Sequence, residues 1–251
     1  WQGVAAVLWI SVPLLWTHAK AIVLMLPVGV LAVYLRDLRS RPAAAAAGLV
    51  FAMLGTAVIA YSYFSVAEQY RTNPEYAPET FSEFVEGSLN YAILDTGKME
   101  LNRGTAVAHW FTMHSFARNP LETLVGHGIG SAKEGGVVVG HLHAHPEYGR
   151  PGMDYTALSR LLWEVGIVGA IAFTGIFVSA ILAAGRLSKS QTIPAFHRAI
   201  LAGYQAALTI MLVALLWKDY LVDSVFGALA GFIIGYILYW YARDRDAIPD
   251  R

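Results

Sequence analysis

The sequence predicts an all-α, polytopic membrane protein with about six transmembrane helices and one long, partly helical external loop. Three observations carry this. Charged residues make up 14% of the 251 residues, against about 25% in an average soluble domain. Mean hydropathy is +0.48. Uncharged runs fall at 3–17, 21–35, 42–67, 165–185, 199–217 and 224–242, and a spanning helix needs about 20 mostly apolar residues. Six such runs do not fit in one soluble core of about 250 residues. The same composition argues against disorder, and a net charge of zero offers no basic excess for nucleic acid. With no cysteine there is no disulfide framework, thiol nucleophile or cysteine metal site.

Residues 1–67 hold three expected spans. The chain opens at Trp1 inside an apolar stretch, which reads as a fragment or a processed chain whose first span is truncated. The run 21–35 is short, so it needs the residues from Thr17 to Lys20 and a snorkelling Arg36 to cross. Residues 68–157 form the long loop. Residues 158–242 hold three further spans, and 243–251 form a tail. Basic residues set the sidedness. Arg36, Arg39 and Arg41 lie between the second and third runs. Arg186, Lys189 and Arg198 lie between the fourth and fifth, and Arg243, Arg245 and Arg251 follow the sixth. The opposite short connections hold only Lys20 and Lys218. If each run crosses once, all three basic clusters share the cytoplasmic side and the long loop lies outside. In the last span, Gly227, Gly231 and Gly235 form a stripe that lets helices approach closely, either within the chain or at a dimer face.

The long loop holds six of the eight histidines: His109, His114, His127, His141, His143 and His145. Little strand is expected. Asn102 is a candidate cap for a helix over residues 102–117, and a short helix is expected around 78–90. Four groups can carry chemistry. Spacings of seven and four put Arg103, Trp110 and His114 near one helical face, with His109 and Arg118 beside them. This is either a phosphate-binding face, since guanidinium binds phosphate bidentately, or a solvated helix on the membrane surface. Second, Gly126-His127-Gly128-Ile129-Gly130 follows Asn119-Pro120. Alternate glycines permit a tight turn with close backbone approach to a ligand; a plain turn is the alternative. Third, His141-Leu142-His143-Ala144-His145 can converge three imidazoles if extended. That suits metal binding, general-base or phosphate contact, or nothing beyond a surface loop. Fourth, Asp154 and Tyr155 lead to Arg160 and Glu164, which can pair at i, i+4. Asp219, Asp223 and Lys218 share the outer side and can line the same cavity. Ionisable residues at a membrane entrance are costly and often functional; anchoring at the interface is the alternative.

Together these residues resemble the O-antigen ligase/polymerase superfamily of bacterial inner-membrane glycosyltransferases. Thr17-His18-Ala19-Lys20 before an apolar helix resembles that family's basic residue ahead of a span. Residues 103–130 resemble its Arg, Trp, Asn-Pro and Gly-x-Gly-x-Gly segment. Residues 154–169 resemble its loop-to-helix segment, here Leu161-x-x-Glu164-x-Gly166-x-x-Gly169. The resemblance covers most of this chain but only the C-terminal half of a typical member. Many members, ligases above all, place His-Asn just ahead of that Glu. Asp154-Tyr155 stands there instead, so the resemblance favours a polymerase of O-antigen, capsule or exopolysaccharide over a ligase.

The resemblance implies a multi-pass protein of the bacterial inner membrane with its active site facing the periplasm. Its substrates would be glycans on undecaprenyl pyrophosphate, its surroundings membrane lipid, and its partners other polysaccharide-assembly proteins. An acceptor hydroxyl attacks the anomeric carbon and lipid pyrophosphate leaves. Arg103 is the expected stabiliser of the leaving charge, helped by Lys20 and Arg160. His145, then His143 or Asp154, is the expected base. Further substrate contacts are expected from His127, Arg150, Tyr155 and Glu164. No metal or other cofactor is required if arginines stabilise the leaving group. Two rivals stand beside this: a flippase or transporter that binds a lipid-linked glycan without chemistry, and a metal-dependent membrane hydrolase using the histidine triplet. The apolar spans lack internal charges, which argues against ion coupling.

Overall fold

The computed structural model describes residues 101–133, 141–145, 147–216 and 224–246, with scattered positions between 28 and 83. The chain divides into two units, Trp1–Gly87 and Ser88–Arg251. In the first, every described position is helical. The expected spans at 3–17, 21–35 and 42–67 otherwise lie outside the described residues. So does the helix expected near 78–90, apart from Ser82 and Glu83, which are helical.

The second unit contains helices and turns, with no strand among the described residues. Helix α1 is Arg103–Met113 and α2 is Pro120–Val125. A 3-10 turn covers His141–Ala144. Three long helices follow: α3 (Ala157–Leu187), α4 (Ala195–Ala214) and α5 (Ser224–Asp246). These three are long and apolar enough to cross a membrane. They coincide with the runs at 165–185, 199–217 and 224–242. The chain is therefore all-α in its described part and carries three candidate spans.

Local chemistry explains the boundaries. At the head of α1, Asn102 Oδ1 accepts from Thr105 N–H at 2.8 Å, and Asn102 N–H donates to Thr105 Oγ1 at 2.7 Å. That reciprocal cap satisfies two of the orphan donors at a helix start. The helix ends at Met113, short of residue 117. Asn119 explains the early stop: its Oδ1 accepts from Ser115 N–H at 2.9 Å and its amide donates to the Met113 carbonyl at 3.5 Å. Pro120 then starts α2, where its missing N–H costs nothing. Helix α3 repeats the reciprocal cap with Thr156 and Ser159, both fully buried.

Helix α3 is two helices joined at a break. Gly166 has φ 65° and ψ −168°, a conformation essentially confined to glycine. Ahead of it lie the short turns bearing Arg160, Trp163 and Glu164. Behind it, residues 167–187 rise about 31 Å at 1.5 Å per residue, the thickness of a bilayer core. The three long helices pack through Phe177, Ala184, Leu201, Leu208, Ile233 and Ile237. Asp244 near the end of α5 accepts from Ser190 Oγ at 2.6 Å and from Thr192 Oγ1, both in the α3–α4 turn. Arg186, Lys189 and Arg198 therefore share one end of the bundle with Arg243 and Arg245, as the charge alternation predicts.

One expectation about packing is corrected. A Cβ placed on Gly227, Gly231 or Gly235 would meet nothing within 4 Å. The stripe makes no close helix approach among the described residues. Gly227 and Gly231 instead border an apolar cavity of about 300 Å³ with Phe173, Phe177, Phe226 and Ile234.

Candidate functional site

The site is built where α1, α2 and the glycine loop meet the short head of α3. Ala106, His109 and Trp110 lie on one face of α1 and are buried, and they pack with Leu161, Leu162 and Trp163 of α3. The N-terminal end is tied by Leu101 N–H donating to the Pro151 carbonyl at 2.9 Å.

The alternate glycines permit a close backbone approach to a ligand or a plain turn; in the structure the backbone that comes close is the break in α3. His127 N–H donates to the Trp163 carbonyl at 2.8 Å, and Gly128 N–H donates to the Glu164 carbonyl at 2.9 Å. The two backbones touch at a pair of glycines. A Cβ on Gly126 would lie 2.5 Å from the Glu164 carbonyl carbon and 2.6 Å from Gly166 N. One on Gly166 would lie 2.4 Å from the Leu124 oxygen. Both residues also have positive φ, so each is required to be glycine twice over.

This docking carries His127 to His114, the residue that caps the end of α1. Their Nε2 atoms stand 2.9 Å apart. His114 Nδ1 lies 3.1 Å from the Trp110 carbonyl, an acceptor only, so the His114 proton sits on Nδ1 and its Nε2 lone pair faces His127. The His114 ring stacks on Trp110 at 4.7 Å and meets Trp163 edge-on at 4.8 Å. Glu122 of α2 completes the group: one ligand atom each from His114, Glu122 and His127 lie within 4.8 Å of one another. Asn119 Nδ2 donates to Glu122 Oε2 at 3.3 Å. Tyr148 packs against His114 and His127, and His145 stacks on Tyr148 at 4.5 Å.

Burial dominates the electrostatics. It holds His109, His114 and His127 below the ordinary histidine value of 6.5. For His109 the Tyr148 carbonyl opposes the shift and the Arg150 charge adds to it. For His114 and His127 the Glu122 charge opposes it. The three imidazoles are thus neutral near pH 7. Burial also raises the Tyr148 phenol above 10.0. The indole N–H groups of Trp110 and Trp163 are buried and have no hydrogen-bond partner among the described residues.

The predicted site residues fall into two groups. Arg103 starts α1, half-buried, with its guanidinium 5.5 Å from the centre of the Tyr155 ring. Asp154, also half-buried, is the next residue along. His127 and His145 belong to the histidine group at the other end of α1, about 16 Å away by helical rise. Arg103, Trp110 and His114 thus share a stripe as expected, but its two ends serve different neighbourhoods. Arg150 is exposed and stands near His109. Arg160 and Glu164 pair as predicted, Nε to Oε1 at 2.8 Å, and both are buried. The histidine triplet is not extended. Its 3-10 turn has about three residues per turn, so period-2 alternation does not apply across His141–Ala144; Leu142 is buried at 1% exposure and His141 is exposed. The side chain of His143 lies outside what the structure describes, as do Lys20, Lys218, Asp219 and Asp223.

Sequence reading missed Glu122, Tyr148 and Trp163. The available signal was the order His114, Glu122, His127 across an Asn-Pro turn, with a histidine following the first glycine of the loop. No family model, curated protein or solved structure matches the chain.

Proposed function

We propose that this protein is a membrane glycosyltransferase of bacterial surface-polysaccharide assembly, polymerase-type, joining glycan repeats carried on undecaprenyl pyrophosphate. On this reading it crosses the inner membrane six times, and the loop faces the periplasm. The observation that carries it is the meeting of two stretches far apart in sequence. The segment from Arg103 to Gly130 and the segment from Asp154 to Gly169 fold onto each other at the head of a candidate span, through Gly126 against Gly166 and Arg103 over Tyr155. These are the two longer stretches on which the resemblance rests.

Chemistry at such a site needs a cation for the leaving pyrophosphate and a base for the acceptor hydroxyl. Arg103 is the cation: its planar fork matches two phosphate oxygens. Asp154, one residue from the ring that Arg103 covers, is better placed than His145 to act as base, because His145 stacks within the histidine group. Tyr155 positions the guanidinium by a cation–π contact. Arg160 and Glu164 neutralise each other and hold the head of α3 in shape beneath the loop.

The test is deletion of the gene in its host, with surface polysaccharide separated on gels. Loss of long chains with single repeats retained supports a polymerase. Loss of all lipid A-linked repeats with lipid-linked polymer retained makes it a ligase instead. Unchanged glycans overturn both. On complementation, Arg103→Ala is expected to give no polymer and Arg103→Lys little, since lysine lacks the bidentate fork. Wild-type chain length from Arg103→Ala removes Arg103 from the mechanism.

A further inference from the structure

We propose that His114, Glu122 and His127 form a zinc site with one coordination position open. This does not rest on the glycosyl-transfer reading. Three ligands with an open fourth position are the pattern of a catalytic zinc, and two histidines with a glutamate are a common set.

Geometry comes first. Two ligands of a tetrahedral zinc, each about 2.0–2.1 Å from the metal, stand about 3.3 Å apart. The two imidazole Nε2 atoms stand at 2.9 Å, so they need only part slightly to admit an ion. The three ligand atoms lie within 4.8 Å of one another, and Glu122, on a flexible side chain, can close the remaining gap. Outer partners are also in place. Zinc-bound histidine nearly always donates its other N–H to a carbonyl or carboxylate. His114 does so, through Nδ1 to the Trp110 carbonyl at 3.1 Å. Asn119 donates to the Glu122 carboxylate at 3.3 Å and so orients the third ligand.

The ligands are also held from three directions. His114 caps α1, Glu122 lies on α2, and His127 is fixed by its N–H bond to Trp163 at the head of α3. His114 is 5% exposed, whereas Glu122 and His127 are half-buried. The open position therefore faces the accessible side, where Tyr148 and His145 stand. A water or an oxyanion is the ligand it would take.

The experiment uses the untagged full chain in detergent, stripped with chelator and then titrated with zinc chloride, and separately with cobalt chloride. One zinc per chain is expected, with tetrahedral ligand-field absorption for cobalt. His127→Asn and Glu122→Gln should each weaken zinc binding by more than about 100-fold, beyond the range produced by outer-partner losses. Asn119→Ala should weaken it about 10-fold. Near-ultraviolet circular dichroism of the metal-free variants checks that they fold. His141→Asn and His197→Asn should leave stoichiometry unchanged. Substoichiometric zinc, or full binding that survives in a folded His127→Asn/Glu122→Gln double variant, overturns the site and leaves His114 and His127 as a plain hydrogen-bonded pair. Because metal content is read directly, failure here is separate from failure to make polymer.

Discussion

Replacing Gly166 by alanine should detach the glycine loop from the head of α3. Two costs add. The first is conformational: φ 65° and ψ −168° lie in a region that costs an L-residue about 1–3 kcal/mol. The second is steric. The new Cβ would stand 2.4 Å from the Leu124 oxygen and 2.6 Å from Gly126 N. These are backbone atoms, so the whole loop must move about 1 Å to reach ordinary contact distance. That movement breaks or stretches the bonds from His127 N–H to Trp163 at 2.8 Å and Gly128 N–H to Glu164 at 2.9 Å. Each is worth about 0.5–1.5 kcal/mol net. The sum is about 3–4 kcal/mol of local stability, or about 10²–10³-fold in the opening equilibrium. Amide hydrogen exchange reads this directly: His127 and Gly128 should exchange faster by that factor in Gly166→Ala. Gly128→Ala is the control, because its φ of 99° is unfavourable but its Cβ meets nothing within 4 Å among the described residues. It should cost only about 1–2 kcal/mol. Equal exchange at residues 127 and 128 in wild type and Gly166→Ala would refute the docking.

Three further outcomes follow from the same region. Glu164→Ala removes the carboxylate that buried Arg160 Nε bonds at 2.8 Å, and should lower stability by about 1.5–3 kcal/mol, the worth of a hydrogen bond to a charged group; an unchanged thermal midpoint in Glu164→Ala would show that this bond does not hold the head of α3. Thr156→Ala removes a fully buried cap from α3 and should cost about 1 kcal/mol, read as a lower midpoint in thermal unfolding followed by tryptophan fluorescence. Acid should destabilise the loop through His109. Burial lowers its folded value below 6.5, so the unfolded chain binds the proton more readily; stability is complete above 6.5 and is lost as pH falls through the folded value. The midpoint should fall between pH 7.5 and 5, and His109→Gln should reduce that slope; an unchanged slope would exclude His109 as the source.

Much of the fold was legible because apolar length and capping chemistry are local. The runs at 165–185, 199–217 and 224–242 are visible from the absence of charge alone, and Asn102 announces α1. The other end of α1 was not legible. It depends on a side chain six positions beyond the last helical residue, where Asn119 takes the Met113 carbonyl and the Ser115 N–H. The histidine triplet failed for a different reason. Period-2 reasoning assumes an extended chain, but burying Leu142 in the core with Met153 and Trp163 winds the segment into a 3-10 turn. Gly126 shows a third kind of limit. Alternating glycines say that something comes close, and the thing that comes close is another glycine forty positions later. His114, Glu122 and His127 are separated by eight and five positions. They share no helical or strand period, so only the fold brings them together.

The break at Gly166 links the site to the three helices long and apolar enough to cross a membrane. A continuous α3 would keep the Trp163 and Glu164 carbonyls within its own ladder. With the helix broken, those carbonyls accept from His127 and Gly128 instead. Trp163 and Glu164 are buried, and a buried carbonyl left unpaired is costly, so the break and the loop each supply what the other lacks. Neither the six-residue α2 nor the loop has a core large enough to hold its own position. Their depth is set by α3, whose remaining length fits a bilayer core. His114, Glu122 and His127 are thereby fixed relative to the span and not merely to their own loop. The proposed zinc site takes its position from that docking. The docking is also why the Gly166→Ala lesion should disturb the His114–His127 pair while leaving the three long helices packed.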